Sequence, residues 1–176
     1  MDEVNMGEMI VAQTDPRDSA ADAIVEKYVW RAAAVGLVPV PYLDMLAVSA
    51  VQLKMVKELS VNYSVEFSEE RGKAIITSLL GGVVSGVVAR SGLVKTALFA
   101  IPLIGPTAAI LSMSIFASAS TCAVGKVFTQ HFASGGSFLN FEPEKVRKFF
   151  SDQYEKGKRM VTRRPAQEPD SPATPA

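Results

Sequence analysis

Chemistry-bearing side chains are scarce in this chain. It holds one cysteine, Cys122, and one histidine, His131. A single cysteine excludes an intramolecular disulfide and gives no sign of an oxidising compartment. One histidine with one cysteine cannot make a zinc cluster. Net charge is lacking too: 18 basic side chains stand against 18 acidic ones, so no global field draws the chain to nucleic acid. The phosphate loop G-x-x-x-x-G-K is missing, because "AVGKVF" has Ser120 where the first glycine should stand. No G-x-G-x-x-G follows a strand, and no H-E-x-x-H or C-x-x-C occurs. With no acid/base pair and no nucleophile beside a base, the expectation is a protein that is not an enzyme and needs no cofactor. The start, "MDEVNMGEMIVAQTDPRD", lacks the basic and apolar stretches of a signal peptide, which argues against secretion.

What is present is apolar. Hydrophobic residues make up 48% of the chain and the mean hydropathy is +0.20, high for a soluble domain and low for a multi-span transporter. Residues 1–15 carry no clear period and read as a flexible leader. Asp15, Pro16 and Asp18 then form a helix start, as N-cap, first helical residue and first-turn acid. Ala21, Ile24/Val25, Tyr28, Ala32 and Val35 recur at helical spacing, while Asp18, Asp22 and Glu26 make a charged stripe.

"GLVPVPYLDML", residues 36–46, interrupts this helix. Gly36 is suited to a left-handed C-cap, and Pro39 and Pro41 disfavour helix in the residues before them. Asp44 would sit near the start of the next helix, where the dipole stabilises a carboxylate by ~0.3–1 kcal/mol. The stretch reads as a rigid interhelix corner, with a partner contact through Asp44 as the functional alternative. The second helix is expected over 42–63, with Leu43, Leu46/Ala47, Ala50, Leu53 and Met55/Val56 inward and Gln52 among its polar positions. Ser68, Glu69 and Glu70 restart a helix.

Beyond Lys73 the text changes. Residues 74–89 carry no charge, Arg90 and Lys95 interrupt, and residues 96–125 are again uncharged. Pro102, Gly105 and Pro106 should leave a helix from about 107, whose uncharged part approaches the ~20 residues that span a bilayer. The 74–89 run is shorter, ~24 Å as a helix. Gly82 and Gly86 in "GGVVSG" form a G-x-x-x-G, and Ser112, Ser114, Ser118, Ala119 and Cys122 repeat the small-residue theme. The expectation is a close-packed apolar hairpin at about 74–125, in lipid or in a protein core. Cys122 reads as a packing residue and His131 as a helix-end polar group. Pro143 opens a last helix with Val146, Phe149, Phe150 and Tyr154 on one face. Lys156, Lys158, Arg159, Arg163 and Arg164 gather behind it, as a solvated helix end or an anionic-lipid contact. Residues 161–176 read as a disordered Pro-rich tail.

"AAAVGLVPVPYLDMLAVSAVQLKMVKELSVNYSV", "IPLIGPTAAI" and "ASTCAVGKVFTQHFASGGSF" together resemble the bacterial domain of unknown function shared by YcjF-type inner-membrane proteins. The same domain follows the GTPase module in some Era-like and dynamin-like bacterial GTPases. The resemblance covers about residues 20–158 and implies an α-helical, membrane-associated module that works with GTPases. It carries over no catalytic residue.

The sequence thus leads to an all-α fold, a small bundle over 16–160 with a central apolar, small-residue-rich hairpin. Its expected role is to anchor, recruit or couple a GTPase, or to self-assemble, at a bacterial cytoplasmic membrane with its flanking helices on the cytoplasmic side. Membrane lipid, a GTPase and a second copy are the expected partners, and nucleic acid is not. The alternative is a soluble helical interaction module without stable membrane insertion.

Overall fold

Asp15 caps the first described helix, as the sequence leads one to expect. The computed structural model describes residues 15–37, 44–82 and 104–163. Among the described residues there are five helical segments and no strand. They are α1 (Pro16–Val35), α2 (Asp44–Asn62), α3 (69–82), α4 (Ile104–Ala133) and α5 (Pro143–Arg163). The fold is an all-α bundle.

The side chain of Asp15 accepts the backbone N–H of Arg17 at 2.9 Å, and Pro16 occupies a first-turn position where no donor is needed. Ala21, Val25, Tyr28, Val29 and Ala32 form the buried stripe of α1. Gly36 ends the helix differently from expectation. Its φ of −67° and ψ of −11° are right-handed, so no left-handed cap forms. The glycine serves close approach instead: a Cβ there would lie 2.7 Å from Ser114 Cα and 2.9 Å from Ser114 N, on α4. At the same crossing Ser114 donates its hydroxyl to the Ala33 carbonyl at 2.9 Å, satisfying one of the acceptors that a helix end leaves open.

The inward face of α2 differs in part: Met55 and Val56 are buried as expected, and Leu43 and the Leu46 side chain lie outside the described residues. Val48, Gln52, Met55, Val56, Leu59 and Ser60 are buried, whereas Ala50 is exposed and Leu53 half-buried. The large side chains at 48, 55, 56 and 59 share one stripe, and helical geometry carries Gln52 inside with them. Gln52 donates to Ser120 Oγ at 3.1 Å and to Thr121 Oγ1 at 3.3 Å. Both hydroxyls in turn donate to the Ala117 carbonyl. Gln52 Oε1 is buried with no hydrogen-bond partner. Rotating the amide would only exchange the orphan, since its N–H groups would then lose their acceptors.

α2 closes through a six-to-one bond from Val65 N–H to the Ser60 carbonyl (2.7 Å) and a second from Ser64 to Val61 (3.1 Å). Ser64 holds the left-handed conformation, φ 56°, that this closure demands. The Tyr63 hydroxyl donates to Asp18 at 2.6 Å, tying the end of α2 to the start of α1. Burial and the Asp18 carboxylate push its pKa well above the ordinary value.

The helix expected from about 107 begins at Ile104, so Pro106 falls in the first turn, where its missing N–H costs nothing. α1, α2 and α5 all pack on α4, and every residue over 117–125 is buried. Ile75, Ile76, Leu79 and Leu80 of α3 join the same core. At the C-terminal end of α4 the chain turns at Gly135, φ 79°, and folds aromatic rings back. Phe128 stacks on Phe141 at 5.1 Å, and Phe132 lies 5.4 Å from both Phe128 and Phe138. His131 Nε2 lies 3.0 Å from the Ser137 carbonyl, and its ring meets Phe141 edge-on. α5 buries Phe150 and Tyr154 as expected and continues through Arg163.

Candidate functional site

α1 and α4 run antiparallel: Ala33 meets Ser114 at one end, and Asp22 meets Lys126 at 2.7 Å toward the other. α5 lies across α4 at Gly157, where a Cβ would stand 3.2 Å from Ala119 Cα. The last turns of α5 and the middle of α1, both packed on α4, line a groove of about 330 Å³. Val25, Val29, Cys122 and Val161 make its apolar lining, and Trp30 and Met160 share the groove with them. Trp30 is 44% exposed and Met160 56% exposed, high values for residues of their size. Asp22, Glu26 and Lys126 supply the polar part of the lining.

Along its whole length the sequence of α5 has seven basic residues against three acidic ones, whereas α1 has three of each and α2 two of each; in the turns beside the groove these are Lys156, Lys158 and Arg159 against Asp152 and Glu155. Three side chains of the cationic cluster expected at the C-terminal end of α5 are described. Lys156 and Arg159 are exposed, while Lys158 is engaged by Glu155 at 3.1 Å. The Arg163 side chain and Arg164 lie outside the described residues.

The other expected positions fall elsewhere. Gly36 lies at the crossing of α1 and α4, and Pro39, Pro41 and the side chain of Asp44 lie outside the described residues. Asp44 itself is the first residue of α2. Gly82 is exposed, and among the described residues a Cβ on it would meet the Arg147 side chain, at 3.7 Å. Gly86 lies outside the described residues. Cys122 is buried against the groove, and His131 is held by the turn after α4. Among the described residues no three His, Cys, Asp or Glu side chains are grouped to hold a metal ion. Trp30 and Gly157 escaped the sequence reading. The sole tryptophan on an otherwise amphipathic helix, and a glycine inside a charged helix, were the available signals.

The arrangement offers an apolar groove with an exposed lip, a flanking positive helix, and a long apolar helix behind it. Over Ile110–Ala133, α4 is long and apolar enough to cross a membrane by length and composition, and much of that stretch is buried within the bundle. The domain-of-unknown-function family DUF697 matches residues 6–159. Magnetosome membrane protein 22 of Magnetospirillum gryphiswaldense is 37% identical over 150 residues, covering 84% of this chain and 75% of that protein. No solved structure matches. On that coverage and identity, the chain belongs to the DUF697 family.

Proposed function

We propose that the protein is a non-enzymatic helical module that associates with a bacterial cytoplasmic membrane, and that there it anchors, recruits or couples a GTPase or assembles with copies of itself. The observation that carries this reading is α4. Its 24-residue apolar stretch is uncharged up to Gly125, and its first turns hold exposed Leu111 beside half-buried Ile110, Met113, Ile115 and Phe116. A relative named for a membrane supports association with lipid. The GTPase role rests on the resemblance to modules that follow GTPase domains.

A second reading, a bundle that binds a partner at the membrane surface without inserting, is favoured by the burial of residues 117–125 inside the described core. Alkaline carbonate extraction of native membranes separates the two. Retention in the pellet, with release by detergent, supports insertion; quantitative release by carbonate supports the surface-bound bundle. Absence from the membrane fraction before extraction would overturn both. Recovery of a GTPase in a crosslinked pull-down, with no binding of labelled GTP by the purified chain, supports the coupling role.

A further inference from the structure

We infer that the lip made by Trp30 and Met160, flanked by Lys156 and Arg159, is the surface by which this protein sits on an anionic lipid bilayer. The inference rests on the membrane reading above and names the contact surface and the lipid chemistry. Trp30 and Met160 come from α1 and α5 and line one groove, and both remain largely exposed there. Lys156 precedes Met160 by one helical turn and Arg159 is its chain neighbour, so two exposed cations stand beside the exposed thioether.

A bilayer interface rewards that combination. Indole has an apolar body and a polar N–H and settles at headgroup depth. The flexible methionine enters the acyl boundary, and the cations meet phosphate oxygens. Two of the local carboxylates are already engaged by other cations. Asp22 is paired with Lys126 at 2.7 Å and Glu155 with Lys158 at 3.1 Å. Glu26 also lines the groove, one turn before Trp30, and exposed Asp152 stands one turn before Lys156, so the lip is mixed and its positive side is the edge at Lys156 and Arg159. Seven of the chain's 18 basic residues belong to α5, and Lys156, Lys158 and Arg159 stand in the turns that border the groove.

Trp30 is the only tryptophan, so its emission reports this site alone. The full chain is titrated with vesicles of phosphatidylcholine, with and without phosphatidylglycerol, some carrying brominated acyl chains. Anionic vesicles should shift Trp30 emission to the blue, and the bromines should quench it. The pair Lys156→Ala and Arg159→Ala should weaken anionic-vesicle binding on the order of 20-fold, from about fivefold per cation near such a surface. Met160→Ser should reduce the quenching, and circular dichroism of these exposed-site variants should match the parent. Sedimentation with vesicles while Trp30 emission stays unmoved would overturn the inference and leave the membrane reading standing. Equal affinity for neutral and anionic vesicles would overturn it in the same way. No sedimentation with either vesicle would overturn both.

Discussion

Within α4, residues 117–125 are enclosed throughout, whereas over 110–116 only Ser114 is buried and Leu111 is 53% exposed. The enclosed half reads "ASASTCAVG", and the open half reads "ILSMSIF". The larger, more apolar side chains therefore occupy the less covered part, the reverse of the usual arrangement in a soluble core. Small residues and hydroxyls suit the enclosed half because three helices must approach it closely. Ser118, Ser120 and Thr121 donate to carbonyls of their own helix, so burial leaves none of these hydroxyl protons unmet. The open half needs lipid, a partner or another part of the chain to cover it. Hydropathy alone marks the whole helix as membrane-like, and packing divides it in two.

The contrast breaks most visibly on truncation. Phe128 is fully buried in the aromatic end of the bundle, and Phe128→Ala should cost ~3–5 kcal/mol. Leu111→Ala should cost less than ~0.5 kcal/mol in detergent-free solution. Chemical denaturation of both variants measures the difference. Similar losses would mean that the open half is covered as well as the closed one.

Glycine substitutions sharpen the same division. Gly36→Ala places a methyl against the Ser114 backbone and should cost ~1–3 kcal/mol through overpacking. Among the described residues Gly82→Ala meets a flexible arginine at 3.7 Å, and it should leave stability unchanged or raise it by up to ~1 kcal/mol through helix propensity. Thermal melts rank the two, and size-exclusion chromatography of the Gly82 variant tests the role expected for that glycine in helix contact. A folded Gly82→Ala protein that loses an oligomer would place a second copy against it.

Smaller effects are expected at Asp44 and Gln52. Asp44→Asn should lower stability by ~0.3–1 kcal/mol if the carboxylate acts through the helix dipole. Normal melting with loss of a co-purified partner would instead make Asp44 a recognition residue. Gln52→Met removes an orphaned buried carbonyl and two hydrogen bonds together. These terms oppose each other, at ~1–3 kcal/mol for the orphan and ~0.5–1.5 kcal/mol for each bond, so the net change should stay within about 1 kcal/mol. A loss above ~3 kcal/mol in denaturation would reveal that Oε1 has a partner, such as a buried water.

Local chemistry made much of the fold legible. Asp15 and Pro16 announced α1, Ser68 with Glu69 the start of the helix over 69–82, and Pro143 the start of α5, because a cap or a fixed φ acts within a few residues. The stripes Ala21–Val25–Tyr28–Ala32 and Phe150–Tyr154 were readable for the same reason: one helix face requires only a 3.6-residue period. The candidate site was far less legible. Lys156 and Arg159 could be listed as charges, but Trp30 joins them only through the crossing of α1, α4 and α5. Gln52 looked outward on its own chemistry and was carried inward by Val48, Met55 and Leu59. Gly36 looked like a conformational device, and Ser114 made it a contact instead. The sequence by itself determined where helices begin, which residues are apolar and how few reactive groups there are, since these depend on neighbours along the chain. Only the tertiary structure decided which half of α4 is enclosed and which exposed side chains share a groove, because helix crossings depend on the sizes of side chains far apart in sequence.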